Sequence, residues 1–184
     1  MNNLSEGCLL RWWESMFLSP SELKEKNIPP APTLYKAELK RCQDIDAATL
    51  TEGFQALWCS LPDDITKEKE GQNTLTLWAM IAITLVYVKT NTTTNLATAA
   101  GTKTENDKPI VSLHRFAQLQ AAKTPAEFIT RLRRILQQLK GQVSVLSLAK
   151  DITQWLEEFH QPRAYRANKR LCVKWTMDYY KASK

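Results

Sequence analysis

Helical spacing of apolar residues runs through almost the whole chain, and one stretch states it in full. In TPAEFITRLRRILQQLKG, residues 124–141, Thr124 stands at an N-cap position and Pro125 at the first helical position. Glu127 follows at the capping-box position, and Gly141 closes the segment. Phe128, Leu132, Ile135, Leu136 and Leu139 recur at intervals of three and four, so they share one face of a helix. The same period marks Leu9, Trp12, Trp13, Met16 and Phe17 within 4–18, and Leu50, Phe54, Leu57 and Trp58 within 46–61. It returns in Val145, Leu148, Ile152, Trp155, Leu156 and Phe159. Shorter helices are expected near 33–42 and from Ser112. Five glycines in 184 residues are fewer than the turns of an all-β domain of this size would use. The expected fold class is all-α, as two small helical bundles.

Between these helices the composition shifts twice. SPSELKEKNIPPAP, from Ser19, is a proline-rich connector with room for one helical turn. KTNTTTNLATAAGTKTENDKP, residues 89–109, repeats threonine and nearly lacks large apolar side chains. It reads as a linker, with a short helix at Leu96 to Ala100. The expected organisation is an N-terminal helical bundle over 1–90, a mobile Thr-rich linker over 91–109 and a basic C-terminal bundle over 110–184. The most apolar run, LWAMIAITLVYV at 77–88, falls short of the roughly 20 residues a spanning helix needs. It reads as a buried core helix, and no membrane partner is expected. The first residues carry no basic leader, and Arg11 and Glu14 interrupt their apolar run, which points to a cytoplasmic protein. Cys8, Cys42, Cys59 and Cys172 form no C-x-x-C pair and read as reduced core residues.

Charge is ordinary in amount and unusual in placement. From His160 to Lys184 seven cations (Arg163, Arg166, Lys169, Arg170, Lys174, Lys181 and Lys184) face one acid, Asp178. That excess equals the net charge of +6, so the rest of the chain sums to zero. Residues 1–107 carry a net −4 and residues 108–184 a net +10. At about 100° per residue, a single helix from Pro162 would gather Arg163, Arg166, Arg170, Lys174 and Lys181 within an arc of roughly 80°. Tyr165, Leu171, Cys172, Trp175 and Tyr179 would lie opposite. Like charges stacked at this spacing repel, and a phosphate backbone would relieve them. Arg131, Arg133 and Arg134 lie on the rim and outer face of the 124–141 helix, with Arg115 and Lys123 just before it. Arginine's fixed fork of donors suits phosphate.

Catalytic motifs do not compete with this reading. His114 and His160 are the two histidines, and neither belongs to an H-E-x-x-H or a Cys-His arrangement. No glycine-rich phosphate loop and no metal-ligand spacing occurs, so neither a cofactor nor a metal is expected. Two other functions fit a basic helical chain. A helix-turn-helix regulator would place its turn at Gly141, although Val143 to Leu148 is apolar for a groove-reading helix. A scaffold would dock an acidic protein on the basic stripe.

YKAELKRCQDIDAATLTEGFQALW (35–58) and VSLHRFAQLQAAKTPAEFITRLRRILQQLKGQVSVLSLAKDITQW (111–155) narrow the choice, together with VKWTMDYY (173–180). In order and spacing they resemble the small subunit of the type I-E CRISPR Cascade complex, the CasB family, from about Tyr35 to Tyr180. The first 30 residues and the Thr-rich segment lie outside the resemblance. It implies an all-helical, non-enzymatic protein that sits as paired copies in an RNA-guided surveillance complex. The implied partners are the backbone and large Cascade subunits, a second copy of the chain, guide RNA, and the target and displaced DNA strands. Carried over by position, Lys40 and Arg41 form the family's basic run, with lysine where arginine is common. Arg115, Arg133 and Arg134 match directly. The segment from Arg163 through Arg166 and Arg170 to Lys174 falls where the family is basic but variable. Together with Arg131, these residues are the expected nucleic-acid contacts.

Overall fold

The computed structural model describes residues 3–67, 71–161 and 166–184, without the side chains of 71 and 72. Among them are twelve α-helices and two strands of two residues each, so the fold is all-α as the periodicity predicts. The chain divides into two compact units, Met1–Val86 and Tyr87–Lys184.

In the first unit α1 (Asn3–Phe17) buries Leu9, Trp12, Trp13 and Met16. The proline-rich connector supplies α2 (Pro20–Glu25), closed by a capping box between Ser19 and Glu22. Buried Glu14 pairs with Lys26, tying α1 to the end of that turn. The helix expected over 46–61 is broken in two, α4 (Ile45–Thr49) and α5 (Glu52–Trp58). The break has a local cause: Thr51 takes the Phe54 N–H on its hydroxyl at 3.2 Å and starts a new helix. Leu50, expected to point inward, is therefore 85% exposed. Gly53 lets α5 approach α3 (Thr33–Arg41), since a Cβ there would meet Leu39 Cδ1 at 2.9 Å. The Gly53 carbonyl accepts from Trp12 Nε1 at 2.9 Å. After α6 (Asp63–Thr66), the apolar run forms α7 (Gly71–Leu85), buried continuously from Trp78 to Val86.

The second unit takes in the stretch 91–109 expected as a linker. Residues 96–101 are packed while 102–108 are exposed, and the boundary between units falls at Val86 and Tyr87. Thr90 and Asn91 form β1, paired in parallel with β2 (Gln142–Val143). Gly141 makes the pairing possible. It adopts φ +72°, and its carbonyl accepts from Lys89 N at 2.8 Å and Thr90 N at 3.1 Å. The candidate helix-turn-helix turn is thus the start of a strand. Next comes α8 (Leu96–Gly101), which buries Leu96, Ala97, Ala99 and Ala100. It packs on α12 (Leu171–Ala182), and a Cβ at Gly101 would strike the Tyr179 backbone. Small side chains here serve close helix approach, which composition alone does not distinguish from disorder. Asn95 caps α8 by accepting from Thr98 N at 2.8 Å, and its amide donates to Asp178 at 3.0 Å.

The rest of the unit is α9 (Leu113–Gln120), α10 (Pro125–Gln138) and α11 (Val145–His160) around an aromatic core. Phe116 stacks on Tyr179 at 5.0 Å between centroids and lies 5.8 Å from Trp175. The Tyr179 hydroxyl donates to the Val111 carbonyl at 2.7 Å. Trp175 Nε1 donates to Asp151 at 2.9 Å. Burial pushes the Asp151 carboxyl up to about 6, against the Trp175 hydrogen bond and the charge of Lys174, with Asp178 adding to the rise.

Two predictions follow from this packing. Gly101→Ala forces a methyl into the Tyr179 backbone and is expected to cost about 1–3 kcal/mol. Gly7→Ala, on the open face of α1, is expected to gain up to about 1 kcal/mol, and chemical denaturation of both variants measures the contrast. Because the folded pKa of Asp151 is raised, the folded chain binds the extra proton. Its stability contribution is present below about pH 4 and lost as pH rises through about 6. Asp151→Asn keeps an acceptor for Trp175, so its melting temperature is expected to exceed the wild type's at pH 7.5, with the gap closing toward pH 4.

Candidate nucleic-acid interface

The second unit, Tyr87–Lys184, carries 17 Lys and Arg against 7 Asp and Glu. The shift of boundary from the expected 110 leaves the +10 excess intact, because Lys89 and Lys103 offset Glu105 and Asp107. The question is which of these cations meet.

Arg115, Arg131 and Arg134 do. α9 turns Phe116 and Leu119 inward, which leaves Arg115 and Gln118, three residues apart, on its outer side. α10 buries Phe128, Ile129, Leu132, Ile135 and Leu136, so Arg131, Arg134 and Gln138 share a neighbouring strip. The two strips enclose a cleft of about 550 Å³ lined by Arg115, Gln118, Arg131, Arg134, Gln137 and Gln138, with Ile135 at its apolar side. The three glutamines carry no charge, so the placement of charge in the sequence does not point to them. Their spacing from Arg115 and Arg134 at three and four residues is the signal that would have found them.

The arginines of the cleft differ in role. Arg131 Nη1 donates to the Gln118 carbonyl at 2.5 Å, and Nη2 pairs with Glu127 at 3.1 Å. It pins α9 to α10. The second oxygen of Glu127 accepts from Lys123 N at 2.9 Å, one residue before the N-cap Thr124. Arg115 and Arg134 are exposed, and among the described residues no side-chain hydrogen bond or ion pair engages them. Adjacent Arg133 leaves in another direction, about 100° round the helix. Its guanidinium lies over the Tyr87 ring, 5.3 Å from the centroid, and it does not line the cleft.

The single basic helix from Pro162 is not formed. Arg163 lies outside the described residues. Arg166 precedes a 3-10 turn, Ala167–Lys169, and Arg170 is the extended N-cap residue of α12. The start of α12 is set by tertiary contacts: Leu171 is buried, and Glu158 accepts its N–H at 2.8 Å in place of a capping side chain. Gln154 holds this segment, donating to the Lys169 carbonyl at 2.8 Å and accepting from Lys174 Nζ at 2.6 Å. Arg166, Arg170 and Lys174 are each exposed, carried by an irregular segment and one helical turn instead of one helical stripe. Lys40 and Arg41 belong to the first unit, exposed in the last turn of α3, where cations complement the helix dipole.

Among the described residues no group of three or more His, Cys, Asp or Glu side chains could hold a metal ion, and no helix is long and apolar enough to cross a membrane. The family profile described as CRISPR-associated protein Cse2 matches residues 35–180. No curated protein and no solved structure matches the chain. With the match spanning four-fifths of the helical fold's length and both arginine-bearing helices of the cleft, the chain belongs to the Cse2 family, the small subunit of type I-E CRISPR Cascade, which associates with the other Cascade subunits.

Proposed function

We propose that this chain is a non-catalytic Cascade subunit that holds nucleic acid by its sugar-phosphate backbone without reading bases. On this reading it supports the R-loop: guide RNA, target strand and displaced strand lie along its basic surfaces while the other subunits and a second copy fix its position. The observation that carries it is the pair Arg115 and Arg134, exposed and unengaged among the described residues, converging on one cleft in a unit of net charge +10. Guanidinium groups with all their donors unoccupied suit phosphate oxygens. A surface of this kind needs charge and no base-specific donors, because pairing with the guide supplies the sequence. Arg166, Arg170 and Lys174, each exposed, add cations to the surface of the same unit. The setting for such work is the cytoplasm.

With about five phosphates neutralised, log K for a single strand is expected to fall with log salt at a slope near −3.5, and near −4.5 for duplex. Replacing both Arg115 and Arg134 by Ala is expected to flatten the single-strand slope by about 1.4. Fluorescence anisotropy over a salt series measures both. An unchanged slope in the double variant, or no binding of any strand by the wild type alone or within the assembled complex, refutes the reading.

A further inference from the structure

The aromatic core of the second unit does not end in the interior. Phe128 is fully buried and stacks on Trp155 at 4.2 Å between centroids, with ring planes 17° apart. Trp155 in turn stacks on Phe159 at 5.4 Å and 10°. Phe159 is 40% exposed, although its helical spacing predicts an inward position. The three rings thus form a near-parallel column from the core to the surface. Its outer end borders a cleft of about 190 Å³ lined by Trp155, Phe159, Trp175, Leu171 and Lys123. Glu158 also lines it, with one oxygen already accepting from Leu171 N at 2.8 Å and Gln154 Nε2 at 2.6 Å. Lys123 is exposed on its wall, and exposed Lys169 and Arg170 immediately precede Leu171.

We propose that the exposed ring of Phe159 is a stacking platform for an unpaired nucleobase, with Lys123, Lys169 and Arg170 meeting the phosphates on either side of it. The occupant is a single strand, because a base inside a duplex has no free face to offer. Every base has such a face, so the platform adds affinity without sequence preference. Charge complementarity favours this occupant over an apolar protein segment, which would leave Lys123 on the cleft wall and the exposed cations just before Leu171 uncompensated. The inference rests on the backbone-binding reading and adds to it a contact that phosphate alone cannot make.

The test compares oligothymidylate with an abasic strand of the same length and charge, by anisotropy at low salt on the full chain. The wild type is expected to bind the base-bearing strand about five- to tenfold more tightly, the lower part of the range for one base on one aromatic ring. Phe159→Ala is expected to erase that preference, and Phe159→Trp to keep it, which holds the test open if Ala loosens α11. Arg115→Ala with Arg134→Ala is expected to weaken both strands equally. Equal wild-type affinity for the two strands overturns the platform and leaves the backbone reading standing, whereas no affinity for either removes both. A folded Phe159→Ala that keeps the preference overturns the platform. So does one that binds strands normally but fails to join the assembled complex, which would assign the ring to a protein contact.

Discussion

The second unit depends on how closely α12 can be approached. Gly101 brings α8 onto the Tyr179 backbone, and Tyr179 is then fixed by its stack on Phe116 and its hydrogen bond to the Val111 carbonyl. From the next turns of the same helix, Trp175 reaches Asp151 on α11, and Gln120 of α9 reaches Cys172 and Thr176. One helix therefore sets the positions of α8, α9 and α11. Through α9 it also sets one wall of the arginine cleft, with Arg131 closing the other wall by holding α10 to the Gln118 carbonyl.

The helices were legible because their cause is local. Thr124 and Pro125 act where their spacing places them, and the α10 stripe is buried as its period predicts, whereas Glu127 accepts from Lys123 N instead of closing a capping box. The short helix expected at 96–100 formed too, as Leu96–Gly101, though its packing was not legible: small side chains that read as low complexity are what a close helix crossing requires. What failed had a tertiary cause. The terminal basic run has good helical spacing, but burial of Leu171 and the carboxylate of Glu158 start the helix eight residues after Arg163. Leu50 kept the right period and still met solvent, because a hydroxyl one residue later began a new helix. Period reports which residues could share a face, and caps decide whether the helix continues to that face.

Charge composition was legible in the same limited sense. The +10 of the second unit survives a shift of boundary, whereas the role of each arginine does not follow from its position in the sequence. Arg131, Arg133 and Arg134 fall within four residues and do three things: one braces two helices, one lies on Tyr87, and one faces solvent. Helix geometry separates neighbours by about 100°, so a run of like residues is dispersed as soon as it is helical.

That dispersal bears on how a sequence-independent grip is built. A guanidinium already bound to a carboxylate, as in Arg131, has part of its fork occupied and offers less to a phosphate. A guanidinium with nothing opposite it keeps all its donors but adds to the repulsion within its own unit. The cleft combines the two kinds: Arg131, paired with Glu127 on its own helix, holds the walls together through the Gln118 carbonyl, and Arg115 and Arg134 carry the unbalanced charge outward on those walls. The braced residue costs the surface one cation and fixes the two helices from which the other two extend. Fixing the backbone beneath a polyanion contact leaves only side-chain freedom to be lost on binding.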